Sequence, residues 1–470
     1  MTTERIATSV APPPPHRRRW SALTALLLAE AMNLLDATVV QVAAPVVHTD
    51  LGGSVSDIQW FSAAYTLPFA VLLITGGRLG DIAGRRRLFV LGVTAFTLAS
   101  LACALAPSAG LLIAFRAVQG AAAAMIIPQT IGLIKAMFAG EELSRALGSI
   151  GPVMGLAAVC GPVLGGVLTH ADLFGSSWRA AFLVNVPVSL VVLVLSSRLP
   201  ESRAPRRPAL DPAGTALAAA GTGLIVQPLI GADVTRLTGR SWAMLSAGLL
   251  LVAVFALHQR RVAAAGRSPL LEPTLFARRG FPAALVTSAS FFAVTNGLTT
   301  VVVLQFQLGA HTGVLASGLS LAPWSAGLAV ASWLAGARLV RRHGRRVMPY
   351  GLGVLLTGLL AAVAGYHAAQ PGAYPVAVLP ALALIGMGAG LFTPAFFTLA
   401  LKPLAPQEIG SAAGLLNAVQ QLGATLGVAV LGSVCLNAGS APHAAEKACW
   451  AAVALLGVSW VASTRVTVET

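Results

Sequence analysis

"GGRLGDIAGRRR", residues 76–87, breaks into a chain that is otherwise strongly apolar. Apolar runs at 57–79 and 88–106 flank it, each about long enough to cross a bilayer. A blurred copy, "ARLVRRHGRR", stands at 337–346. Arg78, Leu79, Gly84, Arg85 and Arg86 recur as Arg338, Leu339, Gly344, Arg345 and Arg346, each 260 positions on. A loop that recurs at matching depth implies two related halves.

Composition agrees with a membrane chain. Of 470 residues, 56% are hydrophobic and only 10% are charged; a soluble domain is about a quarter charged. The net charge of +15 would suggest nucleic acid in a soluble protein. Here the arginines cluster in short loops between apolar runs, which the positive-inside rule explains without a polyanion. "APPPPHRRRW" (11–20) reads as a basic cytoplasmic arm. The first apolar stretch is too long for a signal peptide and carries Glu30 and Asp36, so it reads as a retained span. The cysteines Cys103, Cys160, Cys435 and Cys449 show no metal-ligand spacing and read as small membrane-buried residues.

Fourteen spans are predicted, from 20–45 to 445–463. With the N-terminus inside, the basic clusters at 17–19, 85–87, 203–207, 260–267, 278–279 and 341–346 all fall on the cytoplasmic side; Arg236 and Arg240 are the exception. The first repeat follows span 2 and the second follows span 10. Two extra spans, 210–231 and 241–258, therefore sit between the halves. The predicted organisation is an all-α integral membrane protein. A basic tail (1–19) leads into a six-helix bundle (20–200), two linker helices (201–280), a second six-helix bundle (281–465) and a short tail (466–470). Both ends are cytoplasmic.

Several motifs then resemble a known family. "GGRLGDIAGRRR" resembles the loop-2/3 signature of the major facilitator superfamily. "FRAVQGAAAA" (115–124) resembles its span-4 motif, and "GPVLGG" (161–166) the span-5 motif of its antiporters. "LLDATVVQVAAP" (34–45), "WRAAFLVNVP" (178–187) and "GSAAGLLNAVQQLGATLGVAVLG" (410–432) resemble the fourteen-span drug:proton antiporter branch. The resemblance runs from about residue 20 to 463. It implies the major facilitator fold, alternating access and efflux of drug-like compounds.

Each motif has a physical reading. Gly77, Gly80 and Gly84 allow a tight turn beside Arg78, Asp81, Arg85 and Arg86. That loop is either a solvated orientation signal or a charge latch, in which Asp81 meets arginines or a helix N-terminus across the halves. The second copy carries Arg341 where Asp81 would be, so a symmetrical latch is not expected. Asp36 lies within the first span, where a charge costs about 2.5–3.5 kcal/mol. It is either a proton carrier or a neutral structural hydrogen bond. Glu30 and Asn33 share one side of the same helix, and Glu30 is a second proton-coupling candidate. Arg116 is too deep to snorkel and needs a carboxylate or several carbonyls; the resemblance links it to proton coupling. Gly161, Pro162, Gly165 and Gly166 permit close helix packing and a bend that seals against leak.

Polar residues in other spans could line a cavity or act as interhelical glue. They are Asn33, Gln119, Asn185, Gln227, Thr295, Asn296, Thr299, Thr300, Asn417, Gln420 and Gln421. A wide cavity with few charges suits hydrophobic or cationic compounds.

No GxxxxGK[ST] loop and no HExxH or paired CxxC motif is present, so no cofactor is expected and the energy source is a gradient. The leading reading is a proton-coupled exporter of small drug-like molecules, acting as a monomer in the plasma membrane. It is not an enzyme, and its partners are protons and lipid rather than nucleic acid. The alternative of the same fold is a metabolite or nutrient carrier. A lipid-modifying enzyme would need clustered His, Asp or Glu, and the eight histidines are dispersed.

Overall fold

The computed structural model describes residues 19–172, 175–204, 209–230, 237–277, 280–404, 409–437 and 441–466. The arm before residue 19, the arginines at 206–207 and 278–279, Arg236, and the end beyond 466 lie outside these residues. The described residues contain helices and no strands. A bilayer dictates this, since backbone groups in hydrocarbon must be satisfied within the segment.

The first part of the chain forms α1 (Arg19–Leu51), α2 (Asp57–Ala83), α3 (Arg85–Ala104), α4 (Ala109–Met137), α5 (Gly140–Gly148), α6 (Ile150–Ala171), α7 (Ala180–Leu183) and α8 (Asn185–Ser196). Then come α9 (Pro212–Val226), α10 (Gly239–Ala264) and the short α11 (Pro273–Ala277). The last part forms α12 (Gly280–Leu304), α13 (Val314–Ser320), α14 (Ala322–Leu334), α15 (Val340–His343), α16 (Val347–His367), α17 (Val378–Leu401), α18 (Ile409–Asn437) and α19 (Ala441–Val466).

Local chemistry sets several of these ends. Ser108 caps α4 by accepting from the Leu111 amide at 3.4 Å. Asp211 caps α9 by accepting from Gly214 N–H at 2.8 Å, with Pro212 in the first turn; side-chain acceptors before Pro are a strong start signal. Gly84 has φ +114° and Gly344 has φ +51°. These are the equivalent glycines of the two repeats, and each turns the chain between two helices at a backbone angle that L side chains rarely adopt.

The two parts share one packing scheme. α2 packs on α4 as α14 packs on α17, and α3 on α4 as α16 on α17. α1 meets α6 and α8 as α12 meets α18 and α19. Across the middle, α2 meets α18 and α6 meets α13 and α14. α9 and α10 pair with each other, and α9 lies against α2 and α18. α10 buries almost nothing; Trp242, Leu249 and Leu250 are exposed, as suits a helix bathed in lipid.

Among the described residues, twelve helical runs are long and apolar enough to cross a membrane, against the fourteen expected. The difference has two sources. Val314–His367 is one run of 54 residues, in which Gly344 turns the chain. α9 has 15 residues, about 22 Å of helix, short of a hydrocarbon core about 30 Å thick.

Candidate functional site

α1 carries Glu30, Asn33 and Asp36, all buried. Asp36 meets three donors. Arg116 Nη1 on α4 lies 2.5 Å from its Oδ2. Gln119 Nε2 and Asn185 Nδ2 donate to its Oδ1 at 2.9 and 2.7 Å. Arg116 also donates to Gln119 Oε1 at 2.7 Å and, through Nε, to the Phe61 carbonyl at 2.9 Å. Its guanidinium carbon sits 4.4 Å from the centre of the Tyr65 ring. Ser100 on α3 receives bonds from Gln119 and Asn185 at 2.7 and 3.3 Å. Four helices and the backbone of a fifth thus satisfy one buried ion pair. Such completeness is required, because an unpaired charge here would be far more costly.

Asn33 donates to the Tyr65 hydroxyl at 2.7 Å. Both residues face a cavity of about 1080 Å³ between the two six-helix sets. The cavity wall runs from Asn33 and Tyr65 to Gly148 and Gly151 on one set and to Ala337 on the other. The Arg19–Glu142 pair, 2.6 Å, places α5 beside the start of α1. The cavity therefore extends toward the end of the bundle where α1 begins. At the opposite end the sets close on each other. Thr66 and Thr425 hydroxyls meet at 2.6 Å, Gln59 bonds Ser433 at 3.3 Å, and Gln307 donates to the Val42 carbonyl at 2.8 Å.

The "GPVLGG" segment packs closely on α1 of its own set and on α13 of the other. A side chain at Gly161 would run into the Thr38 hydroxyl of α1, and one at Gly165 would press on Val39. Gly166 lies against Val314 and Gly318 of α13, and Gly318 in turn lies under the Pro162 carbonyl.

The loop-2/3 residues depart from the cross-half latch. Asp81 accepts from Arg85, its neighbour one turn on, at 2.7 Å. The Asp81 carbonyl accepts from Ala204 N–H at 3.2 Å, and Arg85 N–H donates to Ser202 O at 2.9 Å. The Arg86 amide donates to Glu201 at 3.2 Å. Arg78 donates to the carbonyls of Ala209 and Ser268, each at 2.9 Å, and to that of Pro269. Gly77 rests in ordinary contact with Pro128. In this conformation the loop grips the segments that flank α9–α10 rather than the second bundle. The acceptors that Arg78 and the Arg85 amide reach lie on the connecting chain, before α9 and after α10. Among the described residues, Arg341 in the second copy bonds one turn back, at Ala337 O.

Of the cavity candidates, Asn33, Thr295, Asn296, Thr299, Gln420 and Gln421 line the wall. Asn417 does not, and Gln119 and Asn185 serve Asp36 instead. Glu30 faces Thr130 of α4 and has no ion-pair partner among the described residues. Sequence reasoning passed over Tyr65, Ser100 and Phe61. A tyrosine inside an apolar span could have signalled Tyr65; nothing marks Ser100 or a backbone carbonyl. It also left "WRAAF" unexplained. Trp178 Nε1 and Arg179 donate to Asp50 at 2.8 and 2.9 Å, tying the far end of α1 to the start of α7.

Residues 26–428 match the model of the Major Facilitator Superfamily. The chain belongs to that superfamily. A probable actinorhodin transporter of Streptomyces coelicolor is 42% identical over 427 residues, 91% of this chain and 74% of the relative. The puromycin resistance protein of Streptomyces alboniger is 36% identical over 436 residues, 91% of this chain and 84% of the relative. The solved structure of a D-xylose–proton symporter shares the fold. Its TM-score is 0.68 at 13% identity, covering 96% of this chain and 97% of that one. This facilitator-family chain is thus a multi-pass membrane protein. Its buried pair lies inside the first helix set, and its cavity lies between the two sets.

Proposed function

We propose that this protein exports small drug-like molecules in exchange for protons, by alternating access in the plasma membrane with both termini in the cytoplasm. The observation that carries this reading is the Asp36–Arg116 pair. It is buried, and its arginine reaches the wall of the large cavity beside Tyr65 and Asn33. Kinship to antibiotic transport and resistance proteins over nine-tenths of the chain supports export. The chain is read as neither an enzyme nor a nucleic-acid binder.

On this reading the cavity opens to the cytoplasm. A proton reaching Asp36 neutralises it and releases Arg116, which weakens the hold of α1 on α4. Glu30, buried on the same helix, is a second carrier. The bundles then rock, with Gly161, Pro162, Gly165 and Gly166 keeping α6 seated on α1 and α13. Gly77, Arg78, Asp81, Gly84, Arg85 and Arg86 act as the latch, gripping the linker when the cavity faces the cytoplasm. Asn33, Asn296 and Gln421 contact substrate.

Fourteen crossings fit the helices best. A straight run of 54 residues would be about 81 Å long, so Gly344 divides it into two crossings. α9 with Gln227–Leu229 makes one more. The bundles then comprise 20–200 and 281–465, with 201–280 inserted between them.

A proton crossing 100 mV yields about 2.3 kcal/mol, and one pH unit adds about 1.4. One proton then sustains a roughly 500-fold gradient of a neutral solute. The test uses proteoliposomes with a trapped pH dye, to which puromycin is added. Substrate-driven proton flux that disappears in Asp36→Asn is expected. Flux retained in that variant assigns the proton to another group, and substrate movement without proton flux overturns the antiport.

A further inference from the structure

The cavity wall carries no unpaired charge. Among its described residues there is no Asp, Glu, Lys or His. The one charged residue, Arg116, spends its guanidinium on Asp36, Gln119 and the Phe61 carbonyl. What remains is aliphatic and aromatic surface, hydroxyls such as Thr295 and Thr299, and neutral amides. Asn296 donates to the Phe292 carbonyl at 3.0 Å, which leaves its Oδ1 as an acceptor for the cavity. Gln420 and Gln421 also face the space.

Aromatic rings can bind a cation through their faces, and Phe69, Phe292, Trp324 and Trp333 also line the wall, but no carboxylate stands among them and two other faces are taken. The Tyr65 face holds Arg116. The Phe291 face is stacked on Phe392 at 3.9 Å and 23°, and Phe392 is stacked on Phe396 behind it. A permanent cation would leave its hydration shell and meet no counter-charge, with only neutral dipoles and rings to replace water. A flat, uncharged ring system loses little on leaving water and gains apolar contact. Its carbonyl or hydroxyl edges find amide partners.

We propose that the cavity selects uncharged planar aromatic molecules with polar edges, and rejects permanent cations of the same shape. This rests on the export reading above and narrows its substrate class. Each cycle that exchanges one such molecule for one proton then moves one net charge inward.

The test is equilibrium binding in lipid nanodiscs, with no gradient, using acridone and N-methylacridinium. These share a tricyclic ring frame and differ in charge. Acridone is expected to bind at least tenfold more tightly. Asn296→Asp and, separately, Gln421→Glu place a carboxylate in the wall. In either, N-methylacridinium affinity is expected to rise at least tenfold relative to that of acridone. Equal or tighter cation binding by the wild-type protein overturns the proposal. So does failure of acridone to bind up to its solubility limit, or failure of both folded carboxylate variants to gain the cation. Because binding is read without a gradient, a loss of proton coupling in the liposome assay leaves this result standing, and the reverse also holds.

Discussion

Arg116 Nη1 stands 2.5 Å from Asp36 Oδ2, and neither residue is more than 1% exposed. The two are 80 positions apart in the chain. A buried pair of this kind is weak evidence for stability but is severely damaged when halved, because the surviving charge is left uncompensated. Breaking one partner typically costs about 3–5 kcal/mol.

Arg116→Ala should therefore lower the unfolding midpoint in detergent sharply, since Asp36 retains only Gln119 and Asn185. Asp36→Asn keeps much of the shape and should be milder in stability yet abolish coupling. The double variant Asp36→Asn/Arg116→Ala should be more stable than the sum of the two single losses predicts. A double-mutant cycle read by thermal unfolding checks this; strict additivity would contradict a direct pair.

Tyr65 links the cavity to the pair through two separate groups, its hydroxyl and its ring. Tyr65→Phe removes only the acceptor for Asn33 and leaves a buried amide unpaired, worth about 1–3 kcal/mol. Tyr65→Leu also removes the ring beside Arg116. Proton-linked transport is expected to fall several-fold in Tyr65→Phe and much further in Tyr65→Leu. Equal activity of the two would exclude the ring from the coupling.

At Gly161 the backbone of α6 comes so close to α1 that an added side chain meets the Thr38 hydroxyl. Gly161→Val should push the helices apart and abolish transport. Thr38→Ala clears the hydroxyl and should partly rescue Gly161→Ala, whose single methyl needs little room. Uptake assays on the three variants decide it, and no rescue would place the defect elsewhere.

Arg78 grips three carbonyls on both sides of α9–α10. A lysine is a point donor and cannot span them as a planar fork can. Arg78→Lys should loosen the connecting segment. Faster tryptic cleavage at Arg260, Arg261 or Arg267 is the expected readout, with transport reduced. Cleavage rates equal to wild type would show that the grip is incidental.

Much of this was legible in one dimension. Apolar runs long enough for a bilayer, arginines confined to their ends and a loop repeated at 260 residues are local signals, so a helical membrane protein of two related halves followed directly. The repeat glycines were readable for the same reason: the positive φ of Gly84 and Gly344 is a property of one residue. The buried depth of Arg116 demanded a partner, because charge in hydrocarbon must be satisfied. The crossing count was less secure, since α9 is short and Gly344 turns a helix without ending its apolar run.

The choice of partner was not readable. Asp36, Gln119, Asn185 and Ser100 come from four helices, and no spacing along the chain relates them. Nor could hydropathy separate Asn296, which lines the cavity, from Asn417, which does not. The loop-2/3 residues were visible as a motif, yet their partners at 201–209 and 268–269 lie far along the chain and no spacing announces them. Sequence governs what each segment must avoid in lipid, because that requirement is local. Folding governs which polar groups meet, because the donors that satisfy Asp36 stand on other helices.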